Sequence, residues 1–385
     1  LMSKHVVYNG IDVIDQYDHL FQGKNLGLIT NPTGVNKKLR STIDILNERY
    51  NLKALFSPEH GVRGDVQAGG TVDNYTDAKT SLPVYSLYGK IRKFTAEMIK
   101  EIDLIVLDIQ DIGARYYTYI YTMANAMEAC AEFNVPIVIL DRVNPLGGKI
   151  MDGNILDTKN RSFVGNYSIP VRHGLTMGEL AQLFNKEFSI NCNLNVVPVQ
   201  GWNRNMTFDD TDLSWVSPSP NIPSFETVVL YIGTCLLEGT NMSEGRGTTK
   251  PFELLGAPWV DASELCDAMS NYGYQGVLFR PAYFTPTFSK HQGQLCGGVQ
   301  IHITESKNVK AFEIGVRLIY TLMDLYKEHF AFLPPYKEGG TPFFDRLAGT
   351  DIIRLQSKDF DSMMNQFDKE LQNFSKLREQ YLLYE

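Results

Sequence analysis

The sequence predicts an α/β protein built on a buried parallel sheet, and three observations carry that prediction. Four apolar runs, at residues 26–29, 52–56, 104–108 and 137–140, each lead directly into a polar cluster. Strands this apolar are covered on both faces, the situation of a parallel sheet between helices. Helix-length segments at 41–50, 95–102 and 116–133 separate them, the alternation of crossover units. Right-handed crossovers set the polar clusters along one edge of the sheet, where open α/β sheets bind ligands.

Each element follows from local signals. The strand at 26–29 opens into Thr30-Asn-Pro-Thr-Gly34, and Ser41 stands near the start of the first helix. The strand at 52–56 runs into Ser57-Pro-Glu-His-Gly-Val-Arg-Gly64, then a glycine-rich loop reaches a strand at 82–85. The strand at 104–109 is followed by a helix at 116–133 and a strand at 137–140. Between residues 142 and 171 glycine, asparagine and proline dominate, so a connection between lobes is expected there, dividing the chain into 1–160 and 161–385. Thr176-Met-Gly-Glu179 is a capping box that opens a helix. A strand at 194–199, a proline-stiffened loop at 217–223 and a helix at 224–237 come next. Residues 299–304 alternate as a half-exposed strand, and 309–327 and 360–381 are amphipathic helices. The second half therefore reads as an α+β lobe.

Composition narrows the function. At 385 residues the chain exceeds the ~250–300 at which single cores stop growing. A net charge of −8 argues against nucleic acid as a partner, since phosphate binding needs a basic field. No run approaches the ~20 apolar residues of a membrane span, so no integral membrane contact is expected. The first residues, Leu-Met-Ser-Lys-His5, show no secretory signal. The five cysteines have no metal-ligand spacing and are expected to be mostly buried thiols.

The polar clusters hold the candidate chemistry. Glu59, in a loop at a strand end, is the leading candidate for a catalytic acid, and a loop-bracing carboxylate is the alternative. His60 is a candidate proton shuttle or a structural hydrogen-bonder, and Arg63 an anion binder or the partner of a nearby Asp. Asp108, Gln110, Asp111 and Arg115 share one turn, as bases, sugar-hydroxyl acceptors or a self-paired network. Asp141 at the next strand end adds to a weak metal reading, but no zinc or calcium motif is present and no metal or cofactor is expected. Neither dinucleotide nor P-loop glycine patterns occur. Glu238, Glu244 and Arg246 form a matching cluster in the second half, and Tyr116, Tyr117, Tyr119, Tyr121 and the three tryptophans are candidate sugar-stacking faces.

Seven motifs in order resemble one family. They are Gly27-Leu-Ile-Thr-Asn-Pro-Thr-Gly34, Phe56-Ser-Pro-Glu-His-Gly-Val-Arg-Gly64, the stretch from Asp108 to Tyr119, Asp141-Arg-Val-Asn-Pro-Leu-Gly-Gly148, Arg172-His-Gly-Leu-Thr-Met-Gly-Glu-Leu-Ala181, the stretch from Trp215 to Pro223, and Glu238-Gly-Thr-Asn-Met-Ser-Glu-Gly-Arg-Gly-Thr248. Together they resemble the bacterial NamZ-type exo-β-N-acetylmuramidases, from about residue 27 to about residue 286. The resemblance implies a Rossmann-like amino-terminal domain, a carboxy-terminal domain and an active cleft between them. It implies release of N-acetylmuramic acid from the non-reducing end of peptidoglycan fragments, so muramyl saccharides are the expected partners. Members are commonly exported, and export is expected here too.

The resemblance makes Glu59 the catalytic residue to carry over. A second group is expected from Glu244, Glu238 or Asp111, or from the substrate's own acetamide. Arg63, Arg115 and Arg246 are candidates for the lactyl carboxylate. The remaining motif residues, Tyr116, Asp141, Arg142, Asn144, His173, Asn221 and Asn241, are expected to contact substrate alongside His60, Asp108 and Gln110. A non-catalytic sugar-binding protein on the same plan is the first alternative, and a metal-dependent hydrolase the second.

Overall fold

The computed structural model describes residues 2–59, 61–65 and 74–385. Its centre is a seven-stranded sheet. In chain order its strands are β1 (Asn25–Thr30), β2 (Asn51–Ser57), β3 (Tyr75–Thr76), β4 (Pro83–Ser86), β5 (Leu104–Asp108), β6 (Ile137–Leu140) and, further along, β9 (Leu194–Val197). Between them fall β7 (Asp152–Ile155) and β8 (Pro170–Arg172), which pair with each other as a separate antiparallel ribbon. The spatial order is β3-β4-β2-β1-β5-β6-β9. Every pairing is parallel except that of the short edge strand β3 with β4.

The apolar runs are buried on both sides because successive side chains enter different cores. Leu104 and Val106 of β5, with Val138 and Leu140 of β6, join Ile43 and Leu46 of helix Thr42–Arg49 on one face. Ile105, Leu107, Ile137 and Ile139 join helices Tyr119–Phe133 and Met177–Glu187 on the other. This is the period of two expected of a strand, with both phases apolar. An irregular 3-10 segment at Gly10–Leu20, which the sequence did not announce, covers the first face near β9.

The second half packs three antiparallel strands, β10 (Leu254–Ala257), β11 (Val277–Phe284) and β12 (Cys296–Ile303), in the order β10-β12-β11. β12 is the middle strand, paired on both edges, and the alternation expected over its second half holds: Val299 and Ile301 are buried, Gln300 and His302 half-buried. Helices Phe225–Thr234 and Ala311–Leu325 pack closely together beside it, with Gly233 facing Ala311 and Gly315.

Beyond the boundary expected near residue 160, β9 extends the main sheet beside β6. The end of the chain also returns to this first unit, the one built on the main sheet: helix Phe360–Arg378 packs on β7, and the Tyr384 hydroxyl donates to Asp141 Oδ2 at 2.6 Å. All five cysteines are buried and unpaired. Among the described residues no helix is long and apolar enough to cross a membrane.

Candidate active site

β2 ends where Pro58 offers no N–H to continue a ladder, and Glu59 follows it, half-buried at the carboxyl edge of the sheet. The chain leaving β5 supplies the facing wall. Ala114 bridges to Arg172, and the Arg115 N–H donates to the Val171 carbonyl at 2.8 Å. Those pairings hold the segment out of helical conformation, so the helix expected from residue 116 begins at Tyr119. Close-packed tyrosines that one helix face cannot accommodate are thereby spread over a bridge, a turn and a helix start.

Two of their hydroxyls are committed to the proline-rich loop opposite, while Tyr116 and Tyr121 donate to the Ile232 and Arg115 carbonyls. Tyr117 donates to Ser219 Oγ at 2.8 Å, and Tyr119 donates to the Pro218 carbonyl at 2.6 Å. Tyr231 closes the back, edge-on to both Tyr116 and Tyr117 at 6.0 Å. Glu238 and Arg246 complete the far wall. The result is a cavity of about 150 Å³ lined by residues from both halves, including Glu59, Tyr117, Tyr119, Asn221, Glu238 and Arg246.

Burial holds the Tyr117 and Tyr231 hydroxyls well above the ordinary tyrosine range, so both are neutral hydrogen-bonding groups. Burial also raises Glu238, against the pull of the Arg246 guanidinium, which donates to it from Nε at 3.1 Å and from Nη2. Arg246 sits 5.4 Å above the Phe252 ring, which fixes its plane.

Glu59 also borders a second, wider groove of about 630 Å³ on its other side. Glu59 and Thr118 are the residues common to both spaces, and Glu59 is the one that carries a carboxyl group. Tyr88 in the wider groove hydrogen-bonds with Glu59, and burial together with that carboxylate raises its hydroxyl.

The other residues singled out in the sequence fall elsewhere. His60 lies outside the described residues. Arg142 and Asp108, expected on substrate, bind each other through Nε–Oδ1 at 2.6 Å and Nη2–Oδ2 at 2.9 Å, both buried. Thr42 also donates to Asp108, so this carboxylate at the β1/β5 switch point is committed to the protein's own groups. Arg63 is taken up by Asp77 and Asp44. Arg115, 0% exposed, donates to the carbonyls of Asn154, Ile169, Leu347 and Ala348. Gln110 donates to backbone carbonyls, as does Asn144, and Asn241 ties its loop to His329 and Ala331.

Asp141 caps helix Met177–Glu187 through Gly178 N and Thr176 Oγ1, and burial pushes its carboxyl up to about 6. Asp111 is buried, pushed up to about 7 by desolvation, and accepts from Gly113 N. Beside it lies His173, fully buried and pushed down to about 3. Leu175 N donates to His173 Nδ1, so the neutral ring carries its proton on Nε2, 3.8 Å from Asp111 Oδ2. Glu244, 2% exposed, lies behind the cavity wall, 3.3 Å from Arg246 Nε and 2.6 Å from Lys290 Nζ. Lys290 spends its N–H groups on the carbonyls of Leu237, Thr240 and Met242, and acts on Glu244 as a nearby charge.

Seven of the singled-out residues thus line the cavity: Glu59, Tyr116, Tyr117, Tyr119, Asn221, Glu238 and Arg246. Tyr231 and the bracing Lys290 went unnoticed. Tyr231 sits in an apolar helix with no polar neighbour in sequence to mark it, and Lys290 lies in a loop distant from Glu244 along the chain.

Comparisons with known proteins agree with this plan. Residues 26–226 match the model described as exo-β-N-acetylmuramidase NamZ, N-terminal, and residues 229–384 match its C-terminal counterpart. The peptidoglycan β-N-acetylmuramidase NamZ of Bacillus subtilis (strain 168) is 52% identical, over 99% of this chain and 92% of that protein. A DUF1343 family protein of Bacteroides fragilis NCTC 9343, known from a crystal structure, superposes with a TM-score of 0.91 at 40% identity over 100% of both chains. A second DUF1343 protein of that organism gives 0.78 at 33% identity over 98% of this chain and 99% of its own.

Proposed function

The chain belongs to the NamZ family of exo-β-N-acetylmuramidases, and from that premise we propose that it releases N-acetylmuramic acid from the non-reducing end of peptidoglycan fragments, with Glu59 as the acid. It is a glycoside hydrolase. The observation that carries the role of Glu59 is its position as the carboxyl group bordering both the smaller cavity and the wider groove. A group that protonates a glycosidic oxygen must stand between the sugar that stays and the saccharide that leaves.

In this reading the terminal muramic acid occupies the smaller cavity, its ring against Tyr117 and Tyr231. Glu238 is the carboxylate on the sugar's other side, held in place by the Arg246 guanidinium. Arg246 retains N–H groups beyond those given to Glu238, and the muramyl lactyl carboxylate is their natural acceptor. The main sheet reads as Rossmann-like, and an exported enzyme suits a substrate shed from the wall. Assaying each cell fraction for activity checks the compartment.

The deciding experiment follows chromophore release from β-linked N-acetylmuramic acid and N-acetylglucosamine glycosides by wild type and Glu59→Gln. Turnover of the muramic compound, reduced about 100-fold or more in the variant, is the expected result. Turnover unchanged in Glu59→Gln would move the acid elsewhere.

A further inference from the structure

The groove beyond Glu59 is built differently from the cavity that takes the terminal sugar. Three cations, Lys90, Arg92 and Lys93, line it together with Tyr88, Ile91 and Phe163. Its apolar members are open to solvent: Phe163 is 50% exposed, Ile91 43% and Tyr88 37%. Lys93 is paired with Glu128. Lys90 and Arg92 make no ion pair among the described residues. Arg92 instead lies 5.8 Å over the Phe163 ring and donates to the Gly89 carbonyl. In a chain of net charge −8, two cations with no ion pair among the described residues, set over an exposed aromatic floor near the acid, form a local positive field.

We propose that this groove is a leaving-side subsite that recognises a carboxylate on the departing saccharide, held by Lys90 and Arg92 while the sugar rings lie on Tyr88, Ile91 and Phe163. The inference rests on the reading of Glu59 as the acid, which assigns the groove to the departing side. Peptidoglycan strands alternate two amino sugars, of which only the muramic acid bears a carboxylate-terminated substituent. The sugar next to the cleaved bond is therefore uncharged, and the first negative charge on the departing side belongs to the muramic acid after it. That charge is the lactyl carboxylate itself, or the carboxylates of a peptide attached to it. An arginine stacked on an aromatic ring keeps its donor edge free for such a group, and exposed apolar faces suit the hydrophobic faces of sugars.

The subsite makes the enzyme a reader of chain length. A disaccharide, with no carboxylate on its departing sugar, leaves Lys90 and Arg92 unused. A tetrasaccharide engages them. The test compares kcat/KM for the muramyl-terminated disaccharide, the tetrasaccharide, the tetrasaccharide with its inner lactyl group capped as a methylamide, and the tetrasaccharide with a peptide at that position. Wild type is expected to favour the tetrasaccharide by about tenfold or more, mainly through KM. In Lys90→Ala/Arg92→Ala the ratio of tetrasaccharide to disaccharide is expected to fall to about one. The charge-reversing Arg92→Glu is expected to invert it.

Loss of preference by both the capped and the peptide-bearing substrate assigns recognition to the lactyl carboxylate alone. Loss on capping that the peptide-bearing substrate does not share shows that the peptide's carboxylates are read at the same place. A wild-type ratio near one, or a ratio indifferent to both variants, overturns the subsite. Absence of disaccharide turnover by wild type instead overturns the functional reading beneath it. Both cations are solvent-facing, and thermal melts of the variants verify folding before the ratios are compared.

Discussion

Arg246 gives both of its hydrogen bonds on Glu238, from Nε and from Nη2, to the same oxygen, Oε1. The pairing is side-on to one oxygen, so it leaves Glu238 Oε2 without a bond from Arg246. It also ties two cavity-lining residues, from opposite ends of one Gly-rich loop, into a single unit.

Replacing Arg246 should therefore damage binding and Glu238 together. Arg246→Ala is expected to raise KM for muramic acid substrates about tenfold or more, and to shift the pH profile as Glu238 loses the guanidinium that opposes its burial. Arg246→Lys should recover only part of this, because an ammonium has no planar fork. Steady-state kinetics from pH 5 to 8 check both.

The Arg142–Asp108 pair is a stability element, remote from the cavity. Removing one partner leaves a buried charge, so Arg142→Met or Asp108→Asn is expected to cost about 3–5 kcal/mol in denaturant unfolding. The double variant should be less damaged than the sum of the singles, since no lone charge remains.

Asp111 makes stability depend on pH. Its folded pKa of about 7 lies above the 3.8 of an exposed aspartate, so the folded state holds a proton that the unfolded state releases. This contribution is present below about pH 4 and is lost as pH rises through about 7. Asp111→Asn, which keeps the acceptor for Gly113 N, removes the effect. The variant is expected to gain on wild type by about 1.4 kcal/mol per pH unit between pH 5 and 7. Neighbouring His173, pushed down to about 3 by burial, stays neutral in the folded state across this range. Melting curves across this range provide the comparison.

Packing behind the cavity should be transmitted to it. A Cβ on Gly233 would come within 1.8 Å of the Ala311 carbonyl oxygen, so Gly233→Ala must drive two helices apart. A loss of about 1–3 kcal/mol is expected, with reduced kcat because Tyr231 and Glu238 flank Gly233 on the same chain segment. Unfolding and kinetics measured on the same variant separate the two effects.

Much of the architecture was legible locally. Runs such as Leu104-Ile-Val-Leu107, apolar in both phases of the strand period, announce burial on two faces, and the capping box at Thr176 marks a helix start. Pro58 beside Glu59 announces a strand end holding a carboxylate. These signals lie within a few residues of each other, which is why sequence carries them. What only the tertiary structure decided is which polar residues meet. Asp108, Arg142, Asp141 and Arg115 resemble Glu59 in kind and context, yet Asp108 and Arg142 satisfy each other, Arg115 donates to backbone carbonyls, and Asp141 accepts from a backbone N–H and hydroxyls inside the protein. Glu59 instead meets Tyr119, Glu238 and Arg246 around one cavity. A buried charge must find its partner wherever the sheet order brings one, and that order, with β9 and the carboxy-terminal helix folding back on the first unit, is set by long-range packing.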